Sequence, residues 1–281
     1  MIAERPQYVV YSDLDGCLLD PERYDFEAAR PALEILKRRG IPLVLCSSKT
    51  QAEVEFHREL LGLATPFIVE NGGCILIPEQ YFPFPHAFSR TAGPYRVVEF
   101  GVSYARLTES LPEIRRVTRF RLRGFAEMTP GEISSVTGLD ARAARRAKTR
   151  QYDEPFMADL SAAEEEQLRA EAERRGLTLT RGGRFYHLTG RNTKGLAVDF
   201  LTRLYRLQWR ALVTVGIGDG PNDLSMLEHV DLPVVIPQEL SGIDPALEGR
   251  NWMTAPAQGP AGWRAVLEAV VAGDRAASSV Q

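Results

Sequence analysis

Two carboxylates end an apolar run near the start of the chain, in the stretch YSDLDG, where Asp13 and Asp15 precede Gly16. Two negative charges this close repel each other, so their position at the end of a buried strand needs an explanation. A bound cation would neutralise them in part. For the rest, a carboxylate can attack phosphorus and form an aspartyl-phosphate, while a second carboxylate serves as general acid and base. Taken alone, the pair is either a turn that an aspartate side chain caps or a cation site that also supports phosphoryl transfer, and other parts of the chain must decide between the two.

Two further apolar runs also end in polar or charged residues. These are Ser47, Ser48 and Lys49 after IPLVLC, and Asp219, Asn222 and Asp223 in GIGDGPND. Strand ends of this kind meet at one edge of an open α/β sheet, which is where ligands bind. Carboxylate oxygens without clustered His or Cys suit Mg²⁺ that keeps several waters and a substrate phosphate. Lys49, Lys194 and the Ser47 hydroxyl can balance the charge that phosphoryl transfer spreads over three oxygens.

The elements that must position these residues alternate between strand and helix at both ends of the chain. The predicted strands are 7–12, 41–47, 65–73, 211–219 and 232–237, and the predicted helices are 26–39, 50–61, 194–206, 222–228 and 260–272. This alternation predicts right-handed parallel crossovers in a sheet that helices cover.

A stretch rich in proline and glycine, YFPFPHAFSRTAGP, interrupts this alternation. The segment that follows reads as a separate α+β unit, which ends in a hairpin formed by LTLTRGG and RFYHLTG. We therefore expect an α/β fold. Its parallel-sheet, Rossmann-like core comprises residues 1–85 and 190–281, and an inserted α+β cap domain comprises residues 86–189.

Composition argues against several classes of protein. The chain has 281 residues and a net charge of −3, so no overall positive field would attract nucleic acid. It has no apolar run of the ~18 residues that span a bilayer, and its first residues lack a signal-peptide pattern. Its three cysteines are scattered, as in a reducing compartment. We therefore expect a cytoplasmic protein that binds neither nucleic acid nor membrane, and composition leaves its oligomeric state open.

The chemistry-bearing pieces together resemble the signature motifs of the haloacid dehalogenase-like phosphatases. The matching pieces are DLDG, the strand end at Ser47, Lys194 and GDGPND. The resemblance implies that Asp13 is the nucleophile, Asp15 the acid and base, Ser47 a phosphate ligand and Lys194 a charge clamp. It also implies a Mg²⁺ ion bound by Asp13, the Asp15 backbone carbonyl and Asp219, with Asn222 and Asp223 ordering that shell. The long insert is similar to the larger caps of sugar phosphatases.

Three further stretches, SSKT, RQYDEPF and RGGRFYHLTG, resemble the mannosyl-3-phosphoglycerate phosphatase branch of this family. The branch implies hydrolysis of mannosyl-3-phosphoglycerate to mannosylglycerate, a compatible solute, and phosphate. The alternatives are another sugar phosphatase, acting on glucosyl-3-phosphoglycerate, sucrose phosphate or hexose phosphates, and a phosphosugar mutase or phosphotransferase. A binding module without activity is a third class, which the retained charges disfavour.

Several residues of the insert and its borders are candidate substrate contacts, each with a structural alternative. They are Ser48, Lys49, Arg181, Gly182, Gly183, Arg191 and Asn192. The glycine pair either closes a hairpin or brings backbone N–H groups close to a carboxylate. The basic run from Arg142 to Arg150 is either a solvated face or an electropositive rim for an anionic substrate. Only four of the 34 basic residues are lysines. In a chain that otherwise uses arginine, Lys49 and Lys194 indicate positions where a compact ammonium group is needed.

Overall fold

The computed structural model describes residues 6–20, 23–182, 185–238 and 242–278. The chain divides into two compact units, a first unit of Met1–Ser47 with Val198–Gln281 and a second unit of Ser48–Ala197. Within these described ranges, no helix is both long and apolar enough to cross a membrane.

Strands and helices alternate along much of the described chain, with short 3-10 turns between some of them. The strands are β1 Gln7–Ser12, β2 Leu43–Leu45, β3 Phe67–Val69, β4 Cys74–Pro78, β5 Arg90–Ala92, β6 Tyr95–Glu99, β7 Arg123–Gly124, β8 Asp153–Met157, β9 Thr178–Gly182, β10 Phe185–Thr189, β11 Leu212–Gly218, β12 Leu232–Val235 and β13 Met253–Thr254. The α-helices are α1 Arg30–Arg39, α2 Gln51–Leu61, α3 Tyr104–Thr118, α4 Pro130–Thr137, α5 Ala141–Lys148, α6 Ala162–Arg174, α7 Lys194–Gln208, α8 Leu224–Leu227 and α9 Gly259–Ser278.

A five-stranded parallel sheet organises the first unit, in the order β13-β12-β11-β1-β2. The register pairs Ser12 with both Ile217 and Leu45, so β1, β2 and β11 end at the same level. The central strands are apolar because both faces are covered, as is usual in parallel sheets. Pro31 lies in the first turn of α1, where its missing N–H costs no hydrogen bond. The predicted α/β fold class is confirmed.

The third predicted strand does not join this parallel sheet, which corrects the expectation from the strand–helix alternation. In the described chain, β3 pairs with β4 in a four-stranded antiparallel sheet of order β3-β4-β6-β5. Only residues 70–73 connect β3 to β4, and a connection this short permits antiparallel pairing alone. Strands β4 and β5, which the sequence pattern did not predict, complete this sheet.

A second antiparallel sheet in the second unit has the order β7-β8-β10-β9. Helices α3 and α6 bury their apolar residues against it, in a cluster that includes Leu111, Leu168, Phe156 and Leu188. The predicted hairpin is present as β9 and β10, while Gly183 lies outside the described residues. Additional antiparallel sheets thus accompany the parallel core, and the predicted cap boundaries, 86 and 189, stay a prediction.

Candidate active site

Asp13 lies directly beyond β1 in the first unit. Its backbone N–H donates to the carbonyl of Ile217 at 2.9 Å, so the pairing of β1 with β11 continues into the acidic loop. The carboxylate is buried, and its Oδ1 accepts a 2.8 Å hydrogen bond from the N–H of Leu14. On the carbonyl side, the Ser12 hydroxyl donates to the Asp13 oxygen and accepts from the indole of the fully buried Trp263. Strand pairing and core packing therefore fix the orientation of Asp13.

Asp219 follows the neighbouring strand, β11, and lies against the acidic loop. Gly16 has a φ of +71°, and a Cβ atom there would lie 2.5 Å from Asp219 Oδ2. Only glycine permits this backbone turn and this close approach together. The amide of Gln238 donates to the carbonyl of Asp219 at 3.0 Å and to its Oδ2 at 3.2 Å. The Asp219 carboxylate is thus held at the mouth of the Asp13–Gly16 loop.

Asp223 contributes a third carboxylate from the 3-10 turn Pro221–Asp223. Its Oδ2 accepts from the backbone N–H groups of Asp219 at 3.0 Å and Gly220 at 3.1 Å, and its side chain is fully buried. Asp223 occupies the position before α8, and its carboxylate turns back to these two N–H groups. Asn222 is half-buried in the same turn.

Asp13, Asp219 and Asp223 each offer an oxygen to one cluster, in which the three oxygens lie within 4.8 Å of one another. Three carboxylates, of which two are buried and one is half-buried, repel each other strongly unless a cation lies among them. Their oxygens are hard ligands, and neither His nor Cys belongs to the cluster. This donor set fits Mg²⁺ better than zinc or a softer metal.

The remaining predicted residues of the first unit lie at the same ends of the strands. Asp15 is half-buried, two residues beyond Asp13. Ser47 follows β2 and is fully buried, and the preceding N–H of Cys46 donates to the carbonyl of Ser12 at 2.8 Å. Three roles stay predictions: Asp13 as the nucleophile, Asp15 as the acid and base with its carbonyl on the metal, and Ser47 as a phosphate ligand.

Ser48 and Lys49 lie in the second unit, before α2. Thr50 caps this helix in a capping box with Glu53, which fixes the direction in which the chain enters the helix. The carbonyl of Ser48 accepts from the Arg150 guanidinium at 3.1 Å, and the carbonyl of Lys49 accepts from the N–H of Glu70 at 3.0 Å. The Lys49 side chain is largely buried.

Lys194 begins α7 and is fully buried. A buried ammonium group at a helix N-terminus is costly, because burial and the helix dipole both disfavour a positive charge there. Asn192 is also buried, and its amide nitrogen donates to the carbonyls of Glu70 at 3.5 Å and Asn71 at 3.3 Å. Arg191 is exposed.

Arg181 lies elsewhere on the second unit, on the exposed part of the β9–β10 hairpin. Its guanidinium is 3.8 Å from a carboxylate oxygen of Glu165 and lies over the ring of Tyr186. Gly182, the last residue of β9, pairs with Phe185. The contact of these residues with a substrate stays a prediction.

The predicted basic run divides into two groups. Arg142 and Arg145 are exposed, as in a solvated face. Lys148 instead donates to the carbonyls of Phe125, Ala126 and Met128. Arg150 is buried and lies 3.3 Å from Asp153.

A buried polar network in the second unit escaped the sequence analysis. Asp153 accepts from Asn71 at 3.2 Å and binds His187 Nδ1 at 2.9 Å. Burial raises the pKa of Asp153, but His187, Arg150 and Asn71 together hold that pKa below its usual range. Burial raises the pKa of Glu70 to about 7, against the opposing effect of Arg150 and two backbone N–H donors. The only hint of this network in the sequence is the presence of acidic residues within the otherwise apolar or uncharged stretches VENGG and QYDEPF.

The buried carboxylate of Glu154 is also bound within the second unit. Its carboxylate accepts from the Tyr104 hydroxyl at 2.5 Å and from the N–H of Ala126 at 2.9 Å. Burial raises its pKa despite these two donors. The carboxylate therefore braces the segment between β7 and α4.

Comparison with known proteins gives a consistent result. The haloacid dehalogenase-like hydrolase family matches residues 10–91. The chain is 41% identical to the glucosyl-3-phosphoglycerate/mannosyl-3-phosphoglycerate phosphatase of Methanococcoides burtonii, over 92% of this chain and 94% of that protein. It is 38% identical to the mannosyl-3-phosphoglycerate phosphatase of Pyrococcus furiosus, over 81% of this chain and 90% of that protein. A crystal structure of Thermoplasma acidophilum 0175 shares the fold, with a TM-score of 0.68, 19% identity and coverage of 94% and 98%.

Proposed function

Because the chain belongs to the haloacid dehalogenase-like hydrolases, in the family of the glucosyl-3-phosphoglycerate/mannosyl-3-phosphoglycerate phosphatases, we propose that it hydrolyses mannosyl-3-phosphoglycerate to mannosylglycerate and phosphate. The family and the enzyme class predicted from the sequence, a phosphoric monoester hydrolase, are confirmed. Glucosyl-3-phosphoglycerate is the second candidate substrate, because the Methanococcoides burtonii relative is named for both glycosyl esters.

The observation that carries the proposed chemistry is the meeting of Asp13, Asp219 and Asp223 in the first unit. Asp13 lies more than 200 positions before Asp219 and Asp223 in the chain. Their carboxylates meet because β1 and β11 are adjacent parallel strands and end at the same level. This edge of a parallel sheet is the usual place for a ligand.

In the first proposed step, an Asp13 carboxylate oxygen attacks phosphorus. The bond between phosphorus and the glycerate oxygen breaks, and Asp15 gives its proton to that leaving oxygen. The product is an aspartyl-phosphate on Asp13 and the free glycosylglycerate. Leu14 holds Asp13 by a backbone N–H, so the carboxylate is already oriented before the substrate arrives.

In the second step, Asp15 takes a proton from water, and the water oxygen attacks phosphorus. The bond between phosphorus and Asp13 breaks, which releases phosphate and restores the Asp13 carboxylate and the protonated Asp15. Asp13, Asp219 and Asp223 would hold a Mg²⁺ ion, with the Asp15 carbonyl as a further ligand and Asn222 in the surrounding shell. The ion would supply positive charge to the phosphate oxygens.

Positive groups of the chain complete the proposed site. Lys49, Lys194 and the Ser47 hydroxyl would stabilise the charge that develops on the three equatorial oxygens. Ser48, Arg181, Gly182, Gly183, Arg191 and Asn192 remain the proposed contacts of the phosphate or the glycerate. The proposed division is a core of residues 1–85 and 190–281 with a cap of residues 86–189, and cap closure would exclude water.

The test is phosphate release by the purified protein from a panel of esters, with Mg²⁺ and with a chelator. The panel comprises mannosyl-3-phosphoglycerate, glucosyl-3-phosphoglycerate, sucrose phosphate and a hexose phosphate. We expect kcat/KM for the glycerate-bearing esters to be at least ~100-fold higher than for the esters without a glycerate. A difference of this size is what one charged contact with the glycerate carboxylate would contribute. Equal rates for esters without the glycerate carboxylate would identify a general sugar phosphatase instead. Dependence on a sugar bisphosphate without net phosphate release would identify a mutase.

A further inference from the structure

We propose that the turn Glu70–Gly72 is a positioning element that holds the backbones of Lys49 and Lys194 at a fixed separation. The inference rests on the proposed function, because that function gives both lysines a phosphate to bind. Both lysines and the turn belong to the second unit. The contacts that support this inference all lie within the second unit and do not involve the acidic cluster of the first unit.

The backbone of this turn is unusual. Glu70, Asn71 and Gly72 have φ values of +48°, +56° and +82°, three left-handed residues in succession. Glutamate in particular rarely adopts this conformation, because its Cβ approaches a backbone carbonyl oxygen. Such a backbone persists only where its surroundings fix it from several sides, and such sites are often functional.

On one side, the turn holds the segment that carries Lys49. The N–H of Glu70 donates to the Lys49 carbonyl at 3.0 Å. The preceding carbonyl, that of Ser48, accepts from the buried Arg150 guanidinium at 3.1 Å. Two consecutive carbonyls are thus fixed, and they set where the Lys49 side chain starts.

On the other side, the turn abuts the residues that lead into Lys194. A Cβ atom on Gly72 would lie 2.1 Å from the Thr193 carbonyl oxygen and 2.9 Å from the Lys194 nitrogen. Asn192 reinforces this approach with its hydrogen bonds to the carbonyls of Glu70 and Asn71. The backbone of Thr193 therefore packs directly on the turn, and only a glycine at 72 leaves room for it.

A third set of contacts anchors the turn itself. The Glu70 carboxylate accepts from the N–H groups of Gln151 at 3.0 Å and Tyr152 at 2.8 Å. The Asn71 amide donates to Asp153, which also binds His187 and Arg150. All these groups are buried or nearly so, and in a low-dielectric interior such a network resists rearrangement.

Fixed lysine backbones matter because phosphoryl transfer is catalysed mainly by positioning and charge. Ammonium groups that are already aligned need no reorganisation when the transition state forms. A displacement of about 1 Å costs on the order of 100-fold in rate. The turn is therefore a positioning element for catalysis, although none of its side chains need touch the substrate.

The test replaces Gly72 by alanine and uses Gly138→Ala as the matched control. Gly138 also has a φ of +82° and belongs to the same unit, but a Cβ there would meet nothing within 4 Å. Both variants place an alanine at the same positive φ, and only Gly72→Ala brings a Cβ atom against Thr193 and Lys194. We expect kcat to fall about 100-fold with little change in KM for Gly72→Ala, and to stay within about 3-fold for Gly138→Ala.

A double-mutant cycle then shows whether the effect acts through Lys194. If it does, Gly72→Ala added to Lys194→Ala lowers kcat by less than about 3-fold further. A full 100-fold loss in the Lys194→Ala background would overturn the inference. Asn71→Gly, which removes the bond from the turn to Asp153 and adds no strain at a positive φ, undergoes the same cycle and decides the matter if Gly72→Ala does not fold.

Binding of inorganic phosphate, measured by calorimetry, separates this inference from the proposed function. We expect Gly72→Ala, or Asn71→Gly in its place, to weaken phosphate binding at least about 10-fold, and Gly138→Ala to leave it unchanged. A wild-type protein that binds phosphate but cleaves no ester of the panel contradicts the proposed function alone. If phosphate binding and kcat are unchanged in every variant of the turn that folds, the inference alone is contradicted.

Discussion

Asp13 is the residue on which the proposed chemistry depends most directly. An amide oxygen in its place keeps the shape of the side chain and its bond from Leu14, but it cannot form the phosphoryl-enzyme bond. We expect Asp13→Asn to lower kcat by at least about 1,000-fold, and to leave the circular dichroism spectrum unchanged. Asp199→Asn is the control, because that aspartate pairs with Arg203 on the surface of α7. Activity of Asp13→Asn within 10-fold of wild type would exclude Asp13 as the nucleophile.

Glu70 should make stability depend on pH. Its pKa is raised from 4.5 to about 7 by burial, so the folded protein holds this proton more tightly than the unfolded chain between those values. The free energy of unfolding should therefore fall as the pH rises from about 4.5 to about 7, by on the order of 3 kcal/mol from this group. The effect of Asp153 has the opposite sign and lies below pH 4, because its pKa is lowered.

Denaturant unfolding between pH 4.5 and pH 8 measures this dependence. We expect Glu70→Gln, which cannot ionise, to show a smaller slope than the wild type, and the raised pKa of Glu154 accounts for part of the slope that remains. Glu166→Gln is the matched control, because Glu166 is largely exposed on α6. Superimposable pH profiles for wild type and Glu70→Gln would show that Glu70 does not titrate in this range.

At the residue scale, the sequence predicted the acidic cluster but not the buried network. Asp13 and Asp219 follow apolar runs, and parallel strand ends meet, so their convergence followed from the pattern. Asp223 was expected to order the surroundings of the metal, and one of its oxygens lies within the same cluster as theirs. The Asp153–His187 contact joins residues 34 positions apart across antiparallel strands. Without the strand register, no local pattern distinguishes that histidine from a core histidine.

Helix α5 provides a test at the scale of a single element. Lys148, at its last position, donates to three carbonyls around the 3-10 turn Phe125–Glu127, whereas Arg142, in its first turn, is exposed. We expect Lys148→Met to destabilise the protein by about 2 kcal/mol, because the carbonyls lose a charged donor. Arg142→Met should change stability by less than about 0.5 kcal/mol.

Thermal unfolding and the KM for the phosphorylated substrate measure the two variants. If the exposed arginines formed an electropositive rim for the substrate, Arg142→Met would raise KM. We expect KM to stay within about 2-fold of wild type, since isolated exposed charges contribute little. A 10-fold rise in KM would favour the rim.

The elements themselves were predictable where hydrophobic periodicity was strong, as in β1, α2 and β11. The direction of β3 was not, because three apolar residues read the same in a parallel and an antiparallel strand. The short connection at 70–73 decides the pairing, and it does so through three left-handed residues, of which the sequence marks only Gly72. Helix α4 was missed because its eight residues contain few apolar positions.

For the whole molecule, the three carboxylates of the first unit predict a metal-dependent melting temperature. Repulsion among them destabilises the folded protein without a cation, and a bound Mg²⁺ ion removes that cost. At ~100 times its dissociation constant, the ion should raise the melting temperature by about 5 °C. We expect Asp219→Asn to melt above wild type in chelator and to lose most of the shift with Mg²⁺.

Scanning fluorimetry at several Mg²⁺ concentrations measures this shift. Asp199→Asn is again the control, and it should retain the full shift. A wild-type melting temperature that does not respond to Mg²⁺ or other divalent ions would contradict the metal site. A shift retained by Asp219→Asn would place the ion elsewhere.

The first unit is built from two segments that a contiguous second unit of about 150 residues separates. Its central pair, β1 with β11, therefore joins the beginning of the chain to a strand that the ribosome makes roughly 200 residues later. During synthesis, β1 cannot pair with β11 until β11 has been made, whereas the contacts within Ser48–Ala197 can already form. A nascent chain that ends before Asp223 cannot bring the three carboxylates together, so the proposed catalytic site would form only near the end of translation.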